Sequence, residues 1–357
     1  MLPASGGDGA SAAATLGAMS DLLVSALVFA GGVVLLLLGG EALVRGSVSI
    51  AVRMRVSPLL IGLTIVAFGT SAPELSFNIM ATLEGNDGLS FGNIIGSNIA
   101  NIGLVLGLAA VIRAVQLRRS LVTREIPVMV GVALLACVLA LVSWPRSGTA
   151  WSGEGFGRLD GVLLLASFGV FLWMSVRMGL SQRRASEDPV LLHEAEEEIH
   201  ESDRARPLWR ATLMFAVGLG ALLLGGHFAE DGAVGIARGF GVSDALIGLT
   251  IVAVATSLPE LVVSVLAAVR GRSDIAIGNV VGSNIFNLSL VMGATALAGP
   301  VMIPERGMMS LVVMLILSVG LMGLSLCSVR RIGRVSGGLL LLAYVLYLWS
   351  EVWVSVG

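Results

Sequence analysis

Val56–Gly107 reads VSPLLIGLTIVAFGTSAPELSFNIMATLEGNDGLSFGNIIGSNIANIGLVLG, and Val242–Gly293 reads VSDALIGLTIVAVATSLPELVVSVLAAVRGRSDIAIGNVVGSNIFNLSLVMG. The two stretches lie 186 residues apart, align without a gap and share 27 of 52 residues. Self-similarity at this level marks an internal duplication and takes priority over any local reading. In each copy one acid, Glu74 or Glu260, stands alone in a long apolar run. The chain therefore consists of two copies of one membrane unit, each with a carboxylate inside a span.

Composition agrees. The 357 residues are 56% hydrophobic and only 13% charged, with a mean hydropathy of +0.93. Apolar runs long enough to cross a bilayer recur along the whole length. Ten spans are expected, at about 21–44, 56–83, 90–112, 122–143, 159–179, 208–229, 242–269, 275–297, 308–328 and 336–353. The second and seventh are long, which predicts a tilt or a break. Leu35–Gly40 (LLLLGG) matches Ala221–Gly226 (ALLLGG), so the duplication reaches back into the first and sixth spans. The expected fold is an all-α membrane protein of two five-helix repeats, 21–180 and 208–357. Residues 1–20 are expected to be disordered, with Met19 an alternative start, and 181–207 to form an acidic cytoplasmic linker.

Five spans per unit is an odd number, so the second copy must enter the membrane from the opposite side. The arginines test this, because the chain has no lysine. With the N-terminus outside, 18 of the 22 basic residues fall on cytoplasmic connections; only Arg146, Arg158, Arg238 and Arg306 do not. Such a bias sets orientation. Equivalent positions carry the same message. Glu84 and Asn86 in the first copy become Arg270 and Arg272 in the second, while Arg45, Arg53 and Arg55 become Asp231, Gly239 and Gly241. The apolar pattern was kept while the loop charges switched, as expected for inverted-topology repeats.

Other residue types exclude several classes. Cys137 and Cys327 lie in apolar runs and suit packing rather than a disulfide. His193, His200 and His227 lack metal-ligand spacing. No basic cluster sits on a soluble domain, so nucleic-acid binding has no support. The acids and arginines of 181–207 read as a solvated linker.

The chemistry sits around the two glutamates. A charge in mid-bilayer costs ~3 kcal/mol or more, and intramembrane acids mark ion pathways. One such residue is explained by snorkelling; two at equivalent depths are not. Pro73 and Pro259 each precede the glutamate and deprive a carbonyl four residues back of its partner, Gly69 or Ala255. Nearby Ala67 and Ala253 are loosened as well. Irregular backbone at this depth survives where it lines a cavity or is buried in protein. Thr70 and Ser71, repeated as Thr256 and Ser257, place hydroxyls within one turn of the carboxylates if helical geometry resumes there. In GNIIGSNIAN, Asn93, Ser97 and Asn101 share a helix face, as do Asn279, Ser283 and Asn287 in GNVVGSNIFN. Gly92, Gly96, Gly278 and Gly282 permit close helix approach. These amides and serines read either as hydrogen-bond glue between helices or as part of an ion site; beside the glutamates we favour the site. All donors are oxygens, which suits calcium rather than softer metals. Two glutamates match one divalent or two monovalent cations.

The motifs GTSAPE and ATSLPE, with the two glycine–asparagine segments, resemble the repeats of the calcium/cation antiporter superfamily, which includes the sodium/calcium exchangers. That resemblance implies antiport by alternating access, with the first and sixth spans sliding across the rest. It implies calcium at Glu74 and Glu260 with Thr70 and Thr256. It implies sodium or proton sites shared with Ser71, Ser97, Asn101, Ser257, Ser283, Asn287 and the carbonyls of Ala67 and Ala253. Some relatives carry Asp at the position of Asn287, which leaves potassium dependence and stoichiometry open. No cofactor is expected, since the ions are cargo, and the cell (inner) membrane is the expected location. The alternatives are an antiporter for Mn²⁺, Mg²⁺ or K⁺, a passive channel, and an intramembrane enzyme. The enzyme reading lacks support, because neither Ser71 nor Ser257 has a histidine or lysine partner.

Overall fold

Among the described residues eleven helices follow from the apolar runs and from the prolines that break them. The computed structural model describes residues 7–143, 155–185, 207–240, 255–327 and 331–356. In chain order the helices are α1 (Gly7–Met54), α2 (58–70), α3 (Ala72–Leu83), α4 (87–112), α5 (121–143), α6 (Arg158–Ala185), α7 (Leu208–Gly239), α8 (Leu258–Val269), α9 (273–298), α10 (Gly307–Cys327) and α11 (Arg334–Val356). Eight spans among the described residues are long and apolar enough to cross a membrane, with α2 and α3 together counting as one. The shorter α8 continues the broken seventh span, and α11 adds a 23-residue apolar helix.

The breaks sit where the prolines require them. Ser71 (φ −87°, ψ 3°) separates α2 from α3, with Pro73 in the first turn of α3. Ser257 (φ −91°, ψ 3°) stands in the same place before α8, with Pro259 in its first turn. Proline is tolerated in a first turn because the amides there have no intrahelical partner.

The two halves interlock. Two short antiparallel ribbons form, β1 (Val115–Gln116) with β4 (Arg331–Ile332), and β2 (Gly155–Phe156) with β3 (Val301–Met302). β1 and β3 occupy equivalent positions in the duplication, so each half supplies one strand to each ribbon. The outermost helices are exchanged likewise. Gly107 of α4 lies against Gly337 and Leu341 of α11, while its equivalent, Gly293 of α9, lies against Gly161 and Leu165 of α6.

α1 and α7 run antiparallel along each other on a ladder of glycines. A Cβ on Gly32, Gly39 or Gly46 of α1 would meet α7 backbone at 2.4–2.7 Å, and one on Gly218, Gly225 or Gly232 of α7 would meet α1 backbone at 2.4–2.7 Å. The seven-residue spacing keeps each set on one helix face. α2 packs across α9 on the same principle. Gly278 and Gly282 lie under Leu59 O and Leu63 O, at 2.9 and 2.6 Å from their Cβ positions. The corresponding partners of Gly92 and Gly96 fall at 245–253, outside the described residues.

Two expectations change. Residues 7–20, within the segment expected to be disordered, are helical and continue into α1. The first and sixth spans, expected at 21–44 and 208–229, extend to Met54 and Gly239. Glu41, Arg45, Glu230 and Asp231 do not end these helices, because they lie beyond the apolar centre, where charged side chains reach water. The first half of the seventh span and linker residues 186–206, with His193 and His200, lie outside the described residues. Cys137 is buried, Cys327 is exposed, and both are free thiols.

The ladder yields a prediction. Gly218→Leu is expected to destabilise the protein by ~1–3 kcal/mol, because backbone rather than a flexible side chain must give way. Gly220→Ala, where a Cβ meets nothing within 4 Å, should leave stability nearly unchanged. Thermal unfolding of the detergent-solubilised variants measures both.

Candidate ion-binding site

The helix breaks place Glu74 and Glu260 in the first turns of α3 and α8. The partial positive charge of a helix N-terminus favours a carboxylate there. Glu74 is 1% exposed and Glu260 fully buried. Ser71, from the first half, donates its hydroxyl to Glu260 Oε1 in the second at 3.3 Å.

A repeated hydrogen-bond pattern stitches the halves together around these acids. Thr70 directs its hydroxyl at Asn279 Oδ1 (3.2 Å) and the Ala67 carbonyl (3.3 Å). In the opposite sense, Asn93 donates to the Thr256 hydroxyl at 3.1 Å. Ser257 reaches the Ser97 hydroxyl at the long limit of 3.5 Å. Behind them, Asn78 donates to the Glu74 carbonyl (2.6 Å) and to Asn93 Oδ1 (2.8 Å). Asn279 donates to the Glu260 carbonyl (3.4 Å) and to Ser264 (3.0 Å). Ser264 is the repeat equivalent of Asn78.

These bonds divide the polar residues into two groups. Asn93 and Asn279 use both their amide nitrogen and their oxygen, so they act as glue between helices rather than as idle donors. The hydrogen-bond-glue reading therefore holds for this pair. Asn101 and Asn287 are buried with neither amide atom partnered. Both carboxylate oxygens of Glu74, Glu260 Oε2 and the Ser283 hydroxyl are likewise buried without a partner. A buried carboxylate left without a compensating group is strongly unfavourable. A hard cation coordinated by these atoms would remove that cost, so the donor set fits one.

The Ala67 carbonyl already accepts the Ser71 amide at 3.0 Å as well as the Thr70 hydroxyl. To bind an ion it would have to release the latter. Ala253 lies outside the described residues. Asn101 and Asn287 sit in wide π-helical turns, Asn101–Leu106 and Phe286–Val291. Such turns are frequent at functional sites. No sequence signal announces them. Asn78 and Ser264 were also missed; a polar side chain four residues beyond each glutamate was the available clue. Glu125, a buried acid away from this site, is paired with Arg124 at 3.0 Å. Among the described residues no group of three or more His, Cys, Asp or Glu gathers to hold a metal.

An interlocked pair of repeats with carboxylates at their junction defines an integral, multi-pass membrane protein of the cation-antiporter type. The chain belongs to the sodium/calcium exchanger protein family, which it matches over residues 24–177 and 210–353. It is 38% identical to the putative antiporter CaxA of Alkalimonas amylolytica, over 91% of this chain and 98% of that one. It is 31% identical to the sodium/calcium exchanger MaX1 of Methanosarcina acetivorans, over 92% and 98%. Its structure superposes on the sodium–calcium exchanger NCX_Mj, soaked with Na⁺ and Sr²⁺, with a TM-score of 0.76, 32% identity and coverage of 92% and 98%.

The division of the asparagines is testable. Asn93→Ala should lower the unfolding temperature with or without calcium, because buried hydrogen bonds are lost, at ~1–3 kcal/mol. Asn101→Ala should leave the calcium-free unfolding temperature nearly unchanged and shrink the rise that calcium produces. For a wild-type protein that binds calcium, that rise corresponds to ~2.7 kcal/mol at about 100 times Kd.

Proposed function

We propose that this protein exchanges Ca²⁺ for Na⁺ across the membrane by alternating access. The observation that carries this reading is the pair of buried, under-coordinated carboxylates, Glu74 and Glu260, one from each half, with Ser71 of the first half bonded to Glu260 of the second. Their combined charge of −2 is neutralised by one calcium or by two sodium ions. Overlapping occupancy of one site by either cargo is the physical basis of exchange, because each ion displaces the other. The names of two relatives, a sodium/calcium exchanger and a sodium–calcium exchanger soaked with Na⁺ and Sr²⁺, support sodium over proton as the counter-ion.

In this reading Glu74 and Glu260 are the central ligands, supported by the hydroxyls of Thr70, Thr256, Ser71 and Ser257. Ser97, Asn101, Ser283 and Asn287 extend the oxygen set on either side, with the carbonyls of Ala67 and Ala253. No covalent step is involved; the sodium gradient supplies the driving force. The arginine distribution supports an N-terminus outside and a cytoplasmic central connection, and the proposed location is the cell (inner) membrane.

Proteoliposomes loaded with sodium test the proposal. Radioactive calcium should enter against its gradient and stop when the sodium gradient is collapsed. Glu74→Gln and Glu260→Gln should each reduce uptake about 30-fold or more, as when one member of a buried charged set is removed. Uptake that follows a proton gradient alone would reassign the counter-ion. Uptake untouched by both substitutions would overturn the site.

A further inference from the structure

The duplication makes the two halves equivalent, but this structure does not treat them alike at the ends of α1 and α7. On one side, Glu41 of α1 is held by two arginines. Arg45, one turn on, contacts Oε1 at 2.6 Å. Arg270, just beyond α8, closes on both carboxylate oxygens, with Nε at 3.0 Å from Oε2 and a terminal nitrogen at 3.0 Å from Oε1. Such a fork-to-fork pair fixes orientation as well as charge. Beside it α1 is seated on α8, where a Cβ on Gly40 would lie 2.8 Å from both Leu266 and Val262.

The repeat equivalents of these residues are all present; both arginines are replaced by acids, and the glutamate by a histidine. Glu41 corresponds to His227, Arg45 to Asp231 and Arg270 to Glu84. His227 and Asp231 of α7 pair at 3.4 Å, one turn apart, as Glu41 and Arg45 do. The third member is not engaged. Glu84 is exposed at the end of α3, and its carboxylate forms no ion pair with a described residue. The packing is missing too. Gly226, the equivalent of Gly40, has only the Pro259 ring near its Cβ position, at 3.8 Å. The equivalents of Leu266 and Val262 are Met80 and Ser76; Met80 is 60% exposed and Ser76 is exposed as well. α7 makes no contact with α3 comparable to that of α1 with α8.

We propose that these six residues are two alternating latches, which position the α1–α7 pair during exchange. Glu41–Arg270 holds α1 down on α8 in the state seen here. In the opposite state the pair slides along its length, Gly226 seats against Ser76 and Met80, and His227 meets Glu84. Each latch is one carrier residue, a helix partner one turn away, and a receiving residue beyond the broken span. By the arginine distribution, the engaged latch closes the cytoplasmic side. The inference rests on the alternating-access part of the proposed function and goes beyond it by naming the residues that set the balance between states.

Spin labels at Leu83 and Phe240, both exposed, with Cys137 and Cys327 replaced by alanine, report the gap between α3 and the outer end of α7. The wild type should show mainly the long, undocked distance. Glu41→Gln and Arg270→Gln should each raise the short-distance population, by about two- to fivefold for a pair of this exposure. The double variant should shift it no further than the larger single effect, since both remove one interaction. Glu84→Gln should shift it the other way. No change with Glu41→Gln and Arg270→Gln, or a Glu84→Gln shift in the same direction as theirs, overturns the proposal. The readout needs no transport. Latch variants that move the populations in a protein that carries no calcium would preserve the latches and remove the calcium assignment instead.

Discussion

Two carboxylates held away from water are the constraint to which the rest of the structure answers. An apolar interior does not tolerate them singly. Here each sits at the N-terminus of a half-helix created by a serine–proline break, where unpaired amides lend partial positive charge. That compensation is partial: both oxygens of Glu74 and one of Glu260 keep no partner. In the proposed function a cargo ion would complete the balance, with affinity arising from a cost the fold has left standing, and would join the two halves that supply the acids.

Holding such a site at a junction demands rigidity around it and freedom beside it. Rigidity comes from the clamps Thr70–Asn279 and Asn93–Thr256, and from α2 crossing the glycines of α9. The exchanged outer helices and the two small ribbons add to it. α1 and α7 lie backbone against backbone along a ladder of glycines, which suits them to move as one unit in the proposed exchange. α1 is docked on α8 without a counterpart at α7 and α3, and in the proposed exchange this asymmetry is one of two arrangements.

Much of this was legible in one dimension. Hydropathy is a local property, so nearly every span could be placed from its apolar run. An uncompensated acid in such a run is conspicuous by composition, and proline acts on its own helix, so Glu74, Glu260 and the break positions needed no coordinates. What misled the reading was equally physical. Glu41 and Arg45 looked like the end of a span, but a helix can leave the hydrocarbon without stopping. Asn93 and Asn101 looked equivalent on one helix face, yet one spends its whole amide on partners from other helices and the other spends none.

The sequence by itself determined that there are two inverted copies, where each is broken, and which two acids stand alone in the apolar runs, because duplication, hydropathy and proline geometry are all written along the chain. Only the tertiary structure decided which polar groups are consumed as clamps and which stay open. It alone decided that α6 and α11 are exchanged between halves, that π-helical turns carry Asn101 and Asn287, and that one ion pair is made while its mirror image is not. Those outcomes depend on which surfaces meet across the repeat. Two copies of one sequence leave that choice degenerate until packing breaks the tie.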